Sequence, residues 1–305
     1  MVKLDIISGF LGSGKTTLIQ QILNALEDER VVIIENEFGQ MQIDTEVLRV
    51  AGFDIYELTN GCVCCTLKDD FRLTLNQILE QKVDRIIFEP SGIFVLSEIF
   101  DLLKDKEIAS RCTLNSVVTV VDAVNFHKNA SGITNFFVNQ IKSATSLVIS
   151  KTQLVNKEQV YDIIKELQEI NRCAPIISED WENLTYQQLS SLVKVQEDSC
   201  YQVEENPSQG LPQHSSGHGF DSVGFATKKV FQLEELKQRL HEVKEGVYGK
   251  VIRSKGLVCG GENYWEFSYV YGDFAIKPYP GIISGAVTFI GKELKAEELK
   301  QVFGL

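Results

Sequence analysis

No apolar run in this 305-residue chain approaches the ~20 residues that a membrane-spanning helix needs. A surplus of basic residues is missing as well: 30 Lys and Arg stand against 42 Asp and Glu, for a net charge of −12. Phosphate backbones are held by clustered cations, so this balance argues against a nucleic-acid surface. The seven cysteines are odd in number and unevenly spaced, which argues against a disulfide framework. The amino terminus runs straight into an apolar segment and leaves no room for a signal peptide, so a reducing cytoplasm is expected. Internal repeats are absent, and histidines number only four. What is present is ordinary for a globular protein: 44% hydrophobic and 24% charged residues, enough to bury a sizeable core without covalent staples. At this length, one large and one small domain or two medium ones are expected.

The chain is organised around Gly9-Phe10-Leu11-Gly12-Ser13-Gly14-Lys15-Thr16-Thr17. A short, mainly apolar run, Leu4-Asp5-Ile6-Ile7, precedes it, and Leu18, Ile19, Ile22, Leu23 and Leu26 follow at helical spacing. Strand, glycine loop and helix in that order give G-x4-G-K-[ST] its meaning as a phosphate-binding loop. Gly9, Gly12 and Gly14 let the backbone turn its N–H groups inward, where side chains would clash. The new helix adds its positive N-terminal end, to which Ser13 and Thr17 also belong. Lys15 is placed to neutralise the β- and γ-phosphates, and the Thr16 hydroxyl to hold Mg²⁺. The bland alternative, a chance glycine turn, arises in about one in a hundred chains of this length before strand and helix are also required. A nucleoside triphosphate is the expected ligand.

Apolar runs at Leu4–Ile7, Val31–Ile34, Arg85–Phe88, Ser116–Val121 and Leu147–Ile149 lack alternation, as strands covered on both faces do. Helical patterns intervene at Phe71–Glu80, Ser97–Leu103, Asn135–Ser143 and Lys157–Ile170. The expected fold is a doubly wound, mainly parallel α/β sheet over residues 1–195. Residues 196–222, rich in Pro, Gly and Ser, read as a linker carrying His214 and His218. Residues 223–305 read as a smaller α+β domain, with strands at Val223–Phe231, Lys250–Val258, Tyr264–Tyr271 and Gly285–Ile290. Helices are expected there from Leu233 to Val243 and at Ala296–Phe303.

Two acidic segments follow the phosphate loop. Glu35-Asn36-Glu37-Phe38-Gly39 and Asp44 lie after the second strand, where Glu37 or Asp44 would sense Mg²⁺ and the γ-phosphate from a switch loop; a solvated acidic turn is the alternative. The third strand ends in Glu89-Pro90-Ser91-Gly92. A carboxylate at that tip can hold the magnesium's water shell or orient the attacking water. Gly92 could turn its N–H to the γ-phosphate. Between these segments stands Gly61-Cys62-Val63-Cys64-Cys65. Thiolates this close can converge on one Zn²⁺-like ion, which then needs a fourth ligand. Buried small hydrophobes and a redox pair are the competing readings.

Taken together, these segments resemble the CobW-type P-loop GTPases. The likeness continues through Val118-Thr119-Val120-Val121-Asp122-Ala123 and reaches Arg253-Ser254-Lys255-Gly256, spanning most of residues 2–290. It implies a slow GTP-hydrolysing metallochaperone or metal-insertion factor, with Cys62, Cys64 and Cys65 holding a transition metal beside the nucleotide. Zn²⁺ is the first choice and Co²⁺ the second. The wider relatives, nickel-insertion GTPases and methylmalonyl-CoA mutase chaperones, imply a client metalloenzyme or a cobalamin-pathway protein as partner. A metal- or nucleotide-dependent homodimer is compatible with this reading.

The chain departs from the family pattern at the base-specificity motif, usually Asn/Thr-Lys-x-Asp and here Ser150-Lys151-Thr152-Gln153. Lys151 can lay its stem along the base. Gln153 offers one neutral carbonyl where the aspartate accepts two hydrogen bonds, so guanine preference could fall by about ten- to a hundredfold. Gln40 stands where many relatives carry Glu. His214 and His218 are auxiliary metal-ligand candidates, and His127 is a candidate fourth ligand. Cys112, Cys173, Cys200 and Cys259 are isolated. Three functions follow: a GTP-gated metal carrier, a regulatory or assembly GTPase that delivers no ion, and an ATP-using variant.

Overall fold

The computed structural model describes residues 1–26, 29–36, 54–58, 66–90, 96–132, 134–194, 221–261, 263–279 and 285–304. They fall into two compact units that meet in sequence after residue 194 and before residue 221.

The first unit is a seven-stranded sheet. Its strands are β1 (Val2–Gly9), β2 (Val31–Glu35), β3 (Asp54–Glu57), β4 (Arg85–Glu89), β5 (Cys112–Asp122), β6 (Ser146–Ser150) and β7 (Ile176–Ile177), in the order β3-β2-β4-β1-β5-β6-β7. Every pairing is parallel. Alternate residues supply the two faces, which explains runs that are apolar throughout. Leu4, Ile6, Ile34, Ile86 and Phe88 pack on one side with α2 (Thr66–Leu79) and α3 (Ser97–Leu103), followed by the short α4 (Lys106–Ala109). Ile7, Ile33, Ile87, Val118 and Val120 pack on the other with α1 (Lys15–Asn24). Beyond β5, a third cluster joins Val121, Leu147 and Ile149 to α5 (Phe126–Gly132), α6 (Thr134–Lys142) and α7 (Lys157–Ile170). The doubly wound reading of the sequence holds.

Several elements escape the apolar-run criterion. β3 is four residues, Asp-Ile-Tyr-Glu, and an edge strand needs only one buried neighbour. α8 (Tyr186–Leu192) is announced by a capping box rather than by a long periodic face: Thr185 accepts from the Gln188 N–H, and Gln188 reaches back to the Thr185 N–H.

The second unit is a five-stranded antiparallel sheet in the order β11-β10-β9-β12-β8. Its strands are β8 (Asp221–Thr227), β9 (Lys250–Cys259), β10 (Tyr264–Val270), β11 (Asp273–Tyr279) and β12 (Gly285–Lys292). α9 (Leu233–Lys244) and α10 (Ala296–Phe303) cover one face around Phe231, Phe267, Phe289 and Phe303. Where the sequence suggested one strand over Val223–Phe231, β8 ends at Thr227, and Val230 only bridges to Cys259. The reading also ran β10 past its end and omitted β11. Tyr271 and Gly272, both at positive φ (51° and 95°), turn the chain between paired Val270 and Asp273. Two residues at positive φ make the tight hairpin turn whose twist suits the flanking strands.

Candidate functional site

Because β1 lies between β4 and β5 and all three run in one direction, their carboxyl ends open on one edge of the sheet. Open α/β sheets bind ligands there, where the strand order reverses. β1 delivers the phosphate loop to this edge.

Gly9 adopts φ 143°, and a Cβ there would stand 2.4 Å from the Val120 carbonyl oxygen, so the loop can leave β1 only through glycine. Gly14 adopts φ 97° as the residue before α1, and no side chain caps that helix. The first N–H groups of a helix have no intrahelical partner, and with the helix dipole they attract an anion. Lys15 is buried at the start of this helix, with 6% exposure. Its Nζ lies 3.9 Å from Glu89 Oε1 at the tip of β4. Thr16 Oγ1 donates to both Glu89 oxygens at 3.2 Å. Glu89 therefore holds the two side chains that a triphosphate and its cation would need. Thr17, next on the helix, is exposed.

Glu35, the last residue of β2, is in register with Glu89 and is likewise buried. Two buried carboxylates on adjacent strands repel unless a cation lies near both. This site residue was missed: Glu37 drew attention as the switch candidate, although Glu35 closes a buried strand just as Glu89 does.

On the other flank, Lys151 has φ 59°, a left-handed conformation that turns its side chain back across the loop. Lys151 Nζ donates to the Gly12 carbonyl at 2.9 Å and to Asp122 Oδ2 at 2.6 Å. Asp122 is the last residue of β5, and its side chain is 1% exposed. Its Oδ1 accepts from the Val124 and Asn125 N–H groups at 2.9 and 3.2 Å, and its Oδ2 from Asn125 Nδ2 at 2.9 Å. Sequence reasoning left Asp122 without a role, although a carboxylate ending a buried strand was its signal. Gln153 sits exposed in the short 3₁₀ turn Thr152–Leu154 that follows Lys151. Trp181 was also missed. A Cβ on Gly14 would stand 2.9 Å from the Trp181 ring, whose buried Nε1 has no hydrogen-bond partner among the described residues.

Other candidates fall elsewhere. Glu37, Asp44, Cys62, Cys64, Cys65, Gly92, His214 and His218 lie outside the described residues. His127 is exposed, with Nδ1 3.8 Å from Glu166. Among the described residues no group of three or more His, Cys, Asp or Glu is gathered to hold a metal ion, and no helix is long and apolar enough to cross a membrane. Cys112 is buried, and burial pushes its thiol up to about 12, so it is inert.

At the opposite end of the sheet, the fully buried Asp5 of β1 pairs with Arg85, which also donates to Glu29. Burial raises the Asp5 carboxyl, while Arg85 and hydrogen bonds from Asn115 and Ser116 oppose that shift. The Arg85 guanidinium holds Glu29 below the usual carboxylate range.

Known proteins match both units. Residues 3–178 match the family described as CobW/HypB/UreG, nucleotide-binding domain, and residues 220–304 match the cobalamin synthesis protein cobW C-terminal domain. The zinc-regulated GTPase metalloprotein activator 1 of Schizosaccharomyces pombe is 30% identical over 318 aligned residues, covering 91% of this chain and 77% of that protein. The zinc chaperone YjiA of Escherichia coli is 29% identical over 326, covering 99% and 98%. The zinc chaperone CobW of a Sinorhizobium species is 35% identical over 180, and there the chain spans about half of its relative's length (51%). Among solved structures, the Zn(II)-bound YjiA GTPase from E. coli aligns with 99% of this chain and 97% of that one, at 20% identity and a TM-score of 0.49. The first of the two family matches takes in more than half of the chain, from the opening residues of β1 past the tip of β6, and on that extent the chain belongs to the CobW/HypB/UreG family.

Proposed function

We propose that this chain is a GTPase metallochaperone: a nucleotide-gated carrier that couples GTP binding and hydrolysis to custody of a transition metal, Zn²⁺ first, destined for a client metalloenzyme. The observation that carries the reading is the bond from Thr16 to Glu89 beside Lys15, at the uncapped start of α1. A P-loop lysine, a hydroxyl and a strand-tip carboxylate in mutual reach are the parts that phosphoryl transfer requires. The relatives named zinc chaperone and zinc-regulated GTPase metalloprotein activator support the cargo and the nucleotide.

Residues 1–195 form the nucleotide domain in this proposal, 196–222 the linker and 223–305 the client-facing domain. Gly9, Gly12, Ser13, Gly14, Lys15, Thr16 and Thr17 cradle the triphosphate. The oxygens of Thr16 and Glu89 fit a hard cation, and Mg²⁺ there, with Glu37 as a further partner, would supply charge neutralisation across the β- and γ-phosphates. Glu89 orients the water that attacks the γ-phosphorus, and the Gly92 N–H meets the departing phosphoryl group, giving GDP and phosphate. Lys151 and Gln153 meet the base. Cys62, Cys64 and Cys65 hold the metal cargo, with His214 and His218 as auxiliary ligands. Losing the γ-phosphate relaxes the segments flanking those thiolates and lets the ion pass on.

Gating has a thermodynamic signature. A coupling of ~1–3 kcal/mol makes metal affinity differ about 5–150-fold between GTP- and GDP-bound protein, and the metal must shift GTP affinity by the same factor. Titrating Zn²⁺ against the apo, GDP and non-hydrolysable GTP states tests it. Equal affinities in all three would rule gating out. A variant with all three cysteines replaced by Ser should lose the metal and keep the nucleotide.

A further inference from the structure

On the nucleotide-binding reading above, we infer that Asp122 is a positioning residue for the base site. It fixes Lys151 against the phosphate loop, so that the lysine presents its alkyl stem rather than its charge to the purine.

The argument begins with charge. An ammonium free to move would be a poor neighbour for a flat, neutral ring, and a long side chain in many rotamers would be a poor wall. Here the ammonium is occupied from two sides, by the Gly12 carbonyl at 2.9 Å and by Asp122 at 2.6 Å. The Lys151 side chain keeps 32% exposure while Asp122 keeps 1%, so the accessible part of the pair belongs to the lysine. Asp122 can act as a fixed anchor because its remaining acceptor sites are filled by the Val124 and Asn125 N–H groups and by Asn125 Nδ2. A carboxylate held by several donors is fixed in place. The left-handed backbone of Lys151, uncommon for a residue with a Cβ, is the local cost of aiming the side chain back over the loop.

The arrangement matters more here because of Gln153. An aspartate at that position would grip guanine through two charged hydrogen bonds; a neutral amide cannot. Base binding then leans on stacking along the Lys151 stem, which any purine satisfies. Asp122 therefore controls how tightly the base is held, and Gln153 leaves open which purine it is.

The test uses the full chain and fluorescent guanosine and adenosine diphosphates, with Asp122→Asn, Lys151→Met and the double variant. Asp122→Asn keeps the oxygen that accepts the two backbone N–H groups; it removes the charge opposite Lys151 and, with it, the oxygen that accepts from Asn125 Nδ2. Each single change should weaken guanosine diphosphate about tenfold, chiefly through faster release. The double variant, a neutral pair of nearly unchanged shape, should lose much less than the product of the two. Adenosine diphosphate should lose affinity by the same factors. Losses that simply multiply, or an Asp122→Asn variant that binds as the parent does, would overturn the positioning role. If the unmodified chain bound neither nucleotide, the nucleotide reading itself would fall. A merely structural Asp122 would lower the melting temperature without coupling to Lys151.

Discussion

Replacing Glu89 with Gln should separate binding from hydrolysis. The carboxylate is buried, stands 3.9 Å from Lys15 Nζ and accepts from Thr16 through both oxygens. At that distance, and an effective dielectric of about 20, the attraction to Lys15 is about 4 kcal/mol before any desolvation is charged against it. On the proposed function, a triphosphate would compete with Glu89 for Lys15 and the Thr16 hydroxyl. Gln keeps the shape and one acceptor for Thr16 but releases Lys15, so ground-state affinity for GTP should stay within about threefold of the parent or improve. Hydrolysis should suffer far more, because the group proposed to orient water is gone; positioned acid–base groups contribute about 10²–10⁴-fold. The measurements are phosphate release under saturating GTP and direct titration of a fluorescent GTP analogue, with urea unfolding to confirm the fold. A turnover within about threefold of the parent, with binding intact, would remove Glu89 from the mechanism. Lost binding with unchanged turnover at saturation would show instead that its work is in the ground state.

Gly14→Ala should cost about 1–3 kcal/mol of stability, because φ 97° is strained for any residue with a Cβ and the new methyl meets the Trp181 ring at 2.9 Å. Urea unfolding reads the loss, and Trp181 emission should shift in the variant; an unchanged midpoint would refute the contact. Arg85→Met should cost about 3–5 kcal/mol, since it leaves the fully buried Asp5 without its cation, whereas adding Asp5→Leu should recover much of that loss. If the double variant is no more stable than the single, the buried pair is not the cause. In the second unit, the Tyr248, Tyr269 and Tyr271 phenols are pushed up to about 12 by burial, with carboxylates adding to the shift at Tyr248 and Tyr269. Their neutral forms favour the folded state, so this stability is complete below the ordinary phenol value of 10.0 and is lost as pH rises toward about 12. Ultraviolet titration should show a late-ionising group of tyrosines whose ionisation coincides with unfolding; free titration near 10 would contradict it.

The parallel core was readable because burial on both faces leaves no regular polar alternation, and β1, β2, β4, β5 and β6 each surface as a mainly apolar run. Edge strands carry no such mark. β11 alternates exposed and half-buried residues and even accommodates Pro278, because one side of its backbone has no partner strand among the described residues. The phosphate loop was legible since its chemistry is contiguous in sequence. The ties that hold it are not. Thr16 and Glu89 are 73 residues apart, and Lys151 and Gly12 are 139 apart. Only the strand order brings them together, and no local pattern in the sequence encodes that order. Trp181 shows the same limit, being one ring at the start of a 3₁₀ turn, against which a Cβ at position 14 would clash.

The strand order also explains why the loop is held from both flanks. A parallel neighbour ends at the same edge as β1, so whichever residue closes β4 or β5 must face the loop that leaves β1. Both neighbours close with a carboxylate, and each is answered by a lysine. Glu89 takes Lys15, on the side where the γ-phosphate and its cation would lie, and Asp122 takes Lys151, on the side of the base. The pairs are not equivalent. Lys15 and Glu89 stand 3.9 Å apart, a separation that an incoming phosphate can widen, whereas Lys151 and Asp122 are hydrogen-bonded at 2.6 Å with the anion otherwise saturated. On the proposed function, the first tie is the one exchanged for ligand and the second the one that persists. A nucleotide site that must cycle needs that asymmetry, because a cradle loosened at both ends would lose its diphosphate along with its phosphate.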